Sequence, residues 1–455
     1  MLSMNRQQLH VGHISQIEAI GQSLAGIAPT ATPAMVVPLV LLTSGASAWM
    51  TFLIATAGML CMSRQINLFA CRTASPGSLY SYVRGTLGAR PSLIAAWALL
   101  IAYLATGSAA AAGFAVYALP LLNLDGFQRS GTGMIAAVGV VAIASLLAYR
   151  GVRLSMRVML LVEVCSIALV LLLFSLPGPA SIWRVDYRQF VISHDTPMLI
   201  GRGLTLAIFS LVGFESATAL GNEVKSPFES IPRAVWITVL VTGLLFAVSA
   251  YAEFIAFAGN SGALQENAAP LQVLAHLRGL PVLAPVLSLG AAFSFFACIL
   301  ACCTSAARMI FQMSRDGAFS FAFGSAHVRH RTPHFAVALV GVIEVAPVFA
   351  LMTSHVGLFD IYGLLGSLAT CGFLTGYMML LWASVVLSIR TSNFSISSVM
   401  SVSGAGLVIL FAVWGTASQN SQAGYSRLPA VFAALLLFGI GLSTLFANLR
   451  TAQTF

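Results

Sequence analysis

The chain has 455 residues, 58% of them hydrophobic and only 8% charged, with a formal net charge of +9. A soluble globular protein carries about 25% charged residues, so no soluble fold could cover itself here. A nucleic-acid surface is excluded as well, because it needs basic residues gathered on one soluble face; an integral membrane protein is left.

Apolar runs near 20 residues recur along the whole chain, and runs of that length read as membrane helices. Residues 1–15 form an N-terminal segment in which Arg6 precedes a polar stretch, unlike a removable signal peptide. Twelve spans are predicted, at 16–44, 46–70, 90–120, 132–149, 157–177, 202–223, 232–258, 283–311, 334–354, 358–388, 398–417 and 428–448. The third and tenth are long for a hydrocarbon core of about 30 Å and are expected to tilt or project beyond it. With the N-terminus placed in the cytoplasm, sixteen of the 22 basic residues fall at cytoplasmic ends and loops. Arg129, Arg184, Arg188, Arg202, Arg278 and Arg427 fall on the other side. The positive-inside rule expects that bias, so both termini are expected in the cytoplasm and the chain in the cell membrane.

The first span contains "IGQSLAGIAPTATPAMVVP" at 20–38, uncharged and apolar yet broken by Gly21, Gly26, Pro29, Pro33 and Pro38. In hydrocarbon an unpaired backbone amide is costly, so a broken helix survives only inside protein or beside a cavity. Pro29 suits the first turn of a new helix, and "LAGIA" before it is expected to be unwound. The facing half-helix ends would offer N–H groups to a carboxylate and C=O groups to an ammonium. A proline kink that only shapes packing is the alternative, and a second break in a second half would decide between them. The sixth span supplies one in "AIFSLVGFESATALGNEVKSPFESIPRAV", with Gly213 mid-span beside Ser210 and Glu215. Paired interruptions five spans apart point to a transporter built of inverted repeats. Glu215 fits as the cap of the second half-helix, or as a substrate contact.

The seven cysteines all fall in spans or at a cytoplasmic end of one, so no disulfide is expected. Cys298, Cys302 and Cys303 are read as small packing residues. No metal or cofactor is expected.

These residues resemble the amino acid–polyamine–organocation permeases. "FSLVGFESATALGNEVKSPFESIPRAV" looks like that family's sixth-helix motif. "SPGSLYSYVRGTLGARPSLIAAW" is similar to its first cytoplasmic loop, although Ala96 and Pro76 depart from the usual residues. "ARMIFQMSRDGAF" resembles the end of its eighth helix, and "SLAGIAPTATPAM" resembles the first helix of a bacterial branch. The resemblance implies an all-α membrane fold with two inverted five-helix repeats, 16–177 and 202–388, broken at helices one and six, and two peripheral helices over 398–448. It implies an amino acid held between the breaks. N–H groups around Ala25, Gly26, Ile27 and Ala28 would hold its carboxylate. Carbonyls around Phe209, Ser210 and Leu211 would hold its ammonium, with Leu24 and Gly213 beside them. Phe209 would be a gating aromatic or a core residue.

Many relatives carry a fifth-helix lysine that does the work of a coupling cation. This chain's single lysine is Lys225, in a loop. The family lysine maps near Ser166, and Glu163 is the ionisable residue left in that helix. Glu163 is the candidate for proton coupling, with Glu253 and Glu344 behind it; a partnered structural carboxylate is the alternative. Thr304 and Ser305 could instead give hydroxyls to sodium.

The cavity segments expected from the resemblance, 23–29, 103–113, 207–214, 293–300 and 364–372, contain no Asp, Glu, Lys, Arg or His. A charged substrate side chain would be unpaired there, so a small or apolar neutral amino acid is expected, carried by exchange or proton symport. The alternatives are a permease for polyamines or other amines, or a sensor or channel of the same fold. An enzyme is not expected. Ser47 in "GASA" resembles a membrane protease nucleophile, but the eight histidines, from His10 to His355, all lie in termini, loops or span ends, out of reach as its base.

Overall fold

The computed structural model describes residues 9, 11–122, 131–151, 153–176, 182–257, 270–392, 395–417 and 427–452. Arg6, His10 and Arg129 lie outside them. The described chain is helical throughout, and among the described residues the only β-type pairing is an isolated bridge between Ile14 and Val224.

The first span is α1 (Gln16–Ile27), a π-helical turn (Thr32–Val36) and α2 (Val37–Ser44). A turn at Gly45, with φ of 55°, leads into α3 (Ala48–Ala70). A short helix, α4 (Ser78–Leu87), precedes α5 (Ala89–Leu121), α6 (Gly131–Arg150) and α7 (Arg153–Ser175). The sixth span is α8 (Thr196–Leu211) continued by a 3-10 helix (Phe214–Glu223). Then come α9 (Pro227–Ala256), the short α10 (Pro270–Leu277), α11 (Leu283–Arg315), α12 (His334–Thr353), α13 (Leu358–Thr391), α14 (Ile396–Ala417) and α15 (Leu428–Ala452).

Ten described helical runs are long and apolar enough to cross a membrane. The first, Gln16–Ala70, holds two spans, and Leu160–Ser175 is a shorter apolar helix. The twelve expected spans are therefore all helical, with shifted ends. The sixth and seventh begin at Thr196 and Pro227, earlier than expected, because Pro197 and Pro227 open those helices in their first turns, where no N–H is needed. Burial grades from the middle outward. Of each run's apolar window, 94% is buried in Gln16–Ala70 but only 22% and 17% in the last two spans, so α14 and α15 present most of their surface to lipid.

The face carrying the N-terminus is sealed by polar contacts. The N–H groups of Gly12, His13 and Ile14 donate to the carbonyls of Asn222 and Glu223, and Lys225 N–H donates back to Ile14. Ser15 and Glu18 form a capping box, and the buried Glu18 carboxylate also accepts from Arg157 Nε at 2.8 Å. Arg308 clamps Glu223 through two N–H bonds of 2.6 and 3.1 Å, both side chains being buried.

Candidate functional site

The two interrupted spans cross at their breaks. The end of α1 is set by Ala28, which adopts a left-handed conformation (φ 55°) and donates its N–H to the carbonyls of Leu24 and Ala25. Leu24–Ile27 therefore form the last helical turn, and of "LAGIA" only Ala28 leaves the helix. The interruption is Ala28–Thr30, at the end of the expected stretch and just past it. The physical reason is proline's one-sided constraint: Pro29 lacks an N–H but leaves the preceding carbonyls free to accept, so the helix runs up to it. The N–H groups expected at Ala25–Ala28 are consumed by the helix, and α1 points the carbonyls of its last turn at the gap. The amides past the break belong to Thr30, which donates to Ser294 Oγ at 3.3 Å, and Ala31, which donates to Ala28 O at 3.0 Å with Ser294 Oγ at 3.4 Å.

In the sixth span α8 ends at Leu211, Val212 is extended and Gly213 has φ of 98°, a conformation that suits glycine. This break falls at the Gly213 interruption that the sequence marks. A Cβ on Gly26 would fall 2.6 Å from Gly213 O, and one on Gly213 would fall 2.5 Å from Gly26 O. Backbone meets backbone there, which only glycine at both positions allows. Two hydroxyls pin the crossing: Ser23 Oγ donates to Phe214 O at 2.6 Å, and Ser216 Oγ donates to Gln22 O at 3.0 Å.

Beside the crossing lies a narrow cavity with free room for about one water molecule. The first span gives it Gly26, Ile27, Ala28 and Thr32, and the sixth gives Phe209, Ser210 and Val212. Thr106 and Ala110 come from α5, Phe295 and Cys298 from α11, and Tyr362 from α13. Among the expected site residues, Gly26, Ile27, Ala28, Phe209 and Ser210 line it, whereas Leu24, Ala25, Leu211 and Gly213 are not among its lining residues. Thr32 and Tyr362 fall just outside the expected segments. No lining side chain is charged.

Glu215 is fully buried and turned away from the cavity. It accepts Gly213 N–H at 3.1 Å, Tyr377 Oη–H at 2.8 Å and Tyr103 Oη–H at 2.8 Å. Three donors converge on it, one of them the Gly213 amide at the break, and the 3-10 helix itself has no side-chain cap. Neither tyrosine was singled out from sequence.

Glu163 reaches the first break. Thr30 Oγ1 donates to its Oε2 at 3.0 Å, Ser294 Oγ lies beside the carboxyl, and Oε1 has no partner. Ser166, one turn along α7, instead packs against Gly290 of α11. Thr304 and Ser305 are buried with hydroxyls that have no partner, and neither belongs to the Thr30–Glu163–Ser294 cluster. Among the described residues no group of three or more His, Cys, Asp or Glu could hold a metal ion. All seven cysteines are free thiols; Cys298 faces the cavity and its Sγ–H lies 3.6 Å from Gly26 O.

The sequence motifs also meet in space. Ser78 Oγ pairs with Thr218 Oγ1 at 2.5 Å, and a Cβ on Gly221 would fall 2.3 Å from Ser75 N. The "SPGSLYSY" loop thus docks on the 3-10 helix of the sixth span.

A family model described as amino acid permease matches residues 14–455. The branched-chain amino acid permease BcaP of Bacillus subtilis (strain 168) is 26% identical over 368 residues, 76% of this chain and 74% of that protein. The branched-chain amino acid permease BcaP of Lactococcus lactis is 24% identical over 326 residues, 66% of each. The low-affinity putrescine importer PlaP of Escherichia coli (strain K12) is 26% identical over 291 residues, 60% of each. With a match over nearly its whole length and broken spans crossing beside a cavity, the chain belongs to the amino acid permeases of the amino acid–polyamine–organocation superfamily and is a multi-pass membrane transporter.

Proposed function

We propose that the protein carries neutral amino acids with small or apolar side chains across the cell membrane by alternating access. The observation that supports this reading most is the cavity itself: it lies beside the ends of two broken helices, and it has no charged side chain. The carbonyls at the ends of α1 and α8 suit a substrate ammonium, and the Thr30 amide would have to leave Ser294 Oγ to meet its carboxylate. This is the same division of labour as the sequence suggested, with the amides moved across the break. The relatives named for putrescine and for branched-chain amino acids bracket the substrate classes. A diamine would need a carboxylate in the cavity, and Glu215 is engaged elsewhere.

In this reading both termini are cytoplasmic, 16–177 and 202–388 are the two five-helix repeats, and the closed N-terminal face is the inner side. Glu163 couples transport to a proton: its carboxyl is tied through Thr30 to the hinge of the first span, and one oxygen is free to carry hydrogen. Uptake of labelled leucine into proteoliposomes of purified protein tests the substrate class. Excess alanine, serine or leucine should compete and arginine or putrescine should not; the opposite pattern would refute it. A proton gradient should drive accumulation in the wild type. In Glu163→Gln it should not, while exchange against internal leucine persists. Undiminished proton-driven accumulation in that variant would clear Glu163.

A further inference from the structure

Some glycines at helix contacts here face backbone. A Cβ on Gly372 would fall 2.4 Å from Ala98 O, and one on Gly415 would fall 2.0 Å from Gly201 O. Those positions hold helices close and tolerate no side chain. Gly113 of α5 and Gly366 of α13 differ. The three atoms nearest a Cβ on Gly366 all belong to the Phe209 ring, from 2.6 Å, and those nearest a Cβ on Gly113 all belong to the Phe295 ring, also from 2.6 Å. Phe209 and Phe295 are the two phenylalanines of the cavity wall. Each ring is therefore laid back into the space of a missing methyl.

The rings cannot retreat further. Tyr362 stands four residues from Gly366 on the same face of α13, and Tyr117 stands four residues from Gly113 on the same face of α5. Phe209 packs on Tyr362 at 5.8 Å between centroids. Phe295 is held between Tyr362 at 5.7 Å and Tyr117 at 6.1 Å. With glycine beneath and tyrosine beside each ring, the free direction is into the cavity.

We propose that Gly113 and Gly366 set the upper size of the substrate side chain, by recessing Phe295 and Phe209 in the cavity wall. A methyl group at either glycine pushes a ring end, which can move, rather than backbone, which cannot. The ring then occupies the volume of the substrate's outer methyl groups. This inference rests on the neutral amino acid reading above, and it identifies side chains that set selectivity without touching substrate.

The test compares initial rates of labelled leucine and labelled alanine uptake in proteoliposomes for the wild type, Gly113→Ala and Gly366→Ala. One methylene's worth of pocket discriminates about tenfold or more, so each variant should lower the leucine-to-alanine ratio of kcat/KM by about tenfold. Adding Phe209→Leu to Gly366→Ala should restore the ratio. Phe209→Leu alone should deepen the wall, so phenylalanine should compete with leucine about tenfold better than in the wild type. An unchanged ratio in both glycine variants overturns this proposal and leaves the transport reading standing. If the glycine variants do not fold, unchanged phenylalanine competition in Phe209→Leu overturns it. Wild-type protein that takes up neither amino acid saturably overturns the transport reading, and this inference with it.

Discussion

Single buried carboxylates in this protein are told apart by their partners. Glu215, Glu223 and Glu163 are all buried acids, but Glu215 has three donors, Glu223 a two-pronged guanidinium and Glu163 one hydroxyl with one oxygen unpaired. The first two are satisfied by their partners, whereas Glu163 keeps one oxygen without a hydrogen bond, as Glu253 and Glu344 keep both. Hydrogen bonds to a charged group contribute about 1.5–3 kcal/mol each, so Tyr377→Phe should lower the stability of the purified protein by that amount. Thermal unfolding in detergent would show it as a reduced midpoint. Removing one partner of a buried ion pair costs about 3–5 kcal/mol because the other charge is stranded. Arg308→Gln should therefore destabilise more than Tyr377→Phe in the same assay, and Glu223→Gln with Arg308→Gln together less than Arg308→Gln alone. None of these partnerships could be read along the chain: Tyr103 and Tyr377 lie 112 and 162 residues from Glu215, and nothing local marks either as its donor.

At the scale of elements, the two breaks were legible because Gly/Pro interruptions recur in corresponding spans five apart. Their phase was not. Proline forbids an N–H on one side only, and the sequence does not say whether the helix runs up to Pro29 or stops short of it. The structure answers with Ala28 in a left-handed cap. The other prolines of the first span sit where they can be served. Pro33 and Pro38 lie in the first turns of the π-helical segment and of α2. Pro38 lacks the N–H that Ala34 O would receive in a regular α-helix, and Tyr117 Oη–H meets that carbonyl at 2.7 Å. Tyr117→Phe should destabilise by about 1–2 kcal/mol and loosen the segment after the break, read as faster amide exchange over 32–40. The face of the fifth span was equally hidden. Counting by family pattern led to Ser166, and packing turned Glu163 to the break instead, one turn away.

For the whole molecule, composition and the apolar runs gave the membrane and the number of spans, because both follow from hydrocarbon's intolerance of charge; the peripheral position of the last two came from the family resemblance. The assembly of five helices around one cavity needed tertiary structure. The central claim is that this cavity holds the transported amino acid. Cys298 lies in its wall and is a free thiol, which gives a direct probe. In protein whose other six cysteines are replaced by alanine, the rate of Cys298 modification by a small methanethiosulfonate should fall when leucine or alanine is present at saturating concentration. Arginine and putrescine should leave it unchanged. If leucine is transported yet the Cys298 rate does not change with its concentration, the substrate passes elsewhere and the account is contradicted.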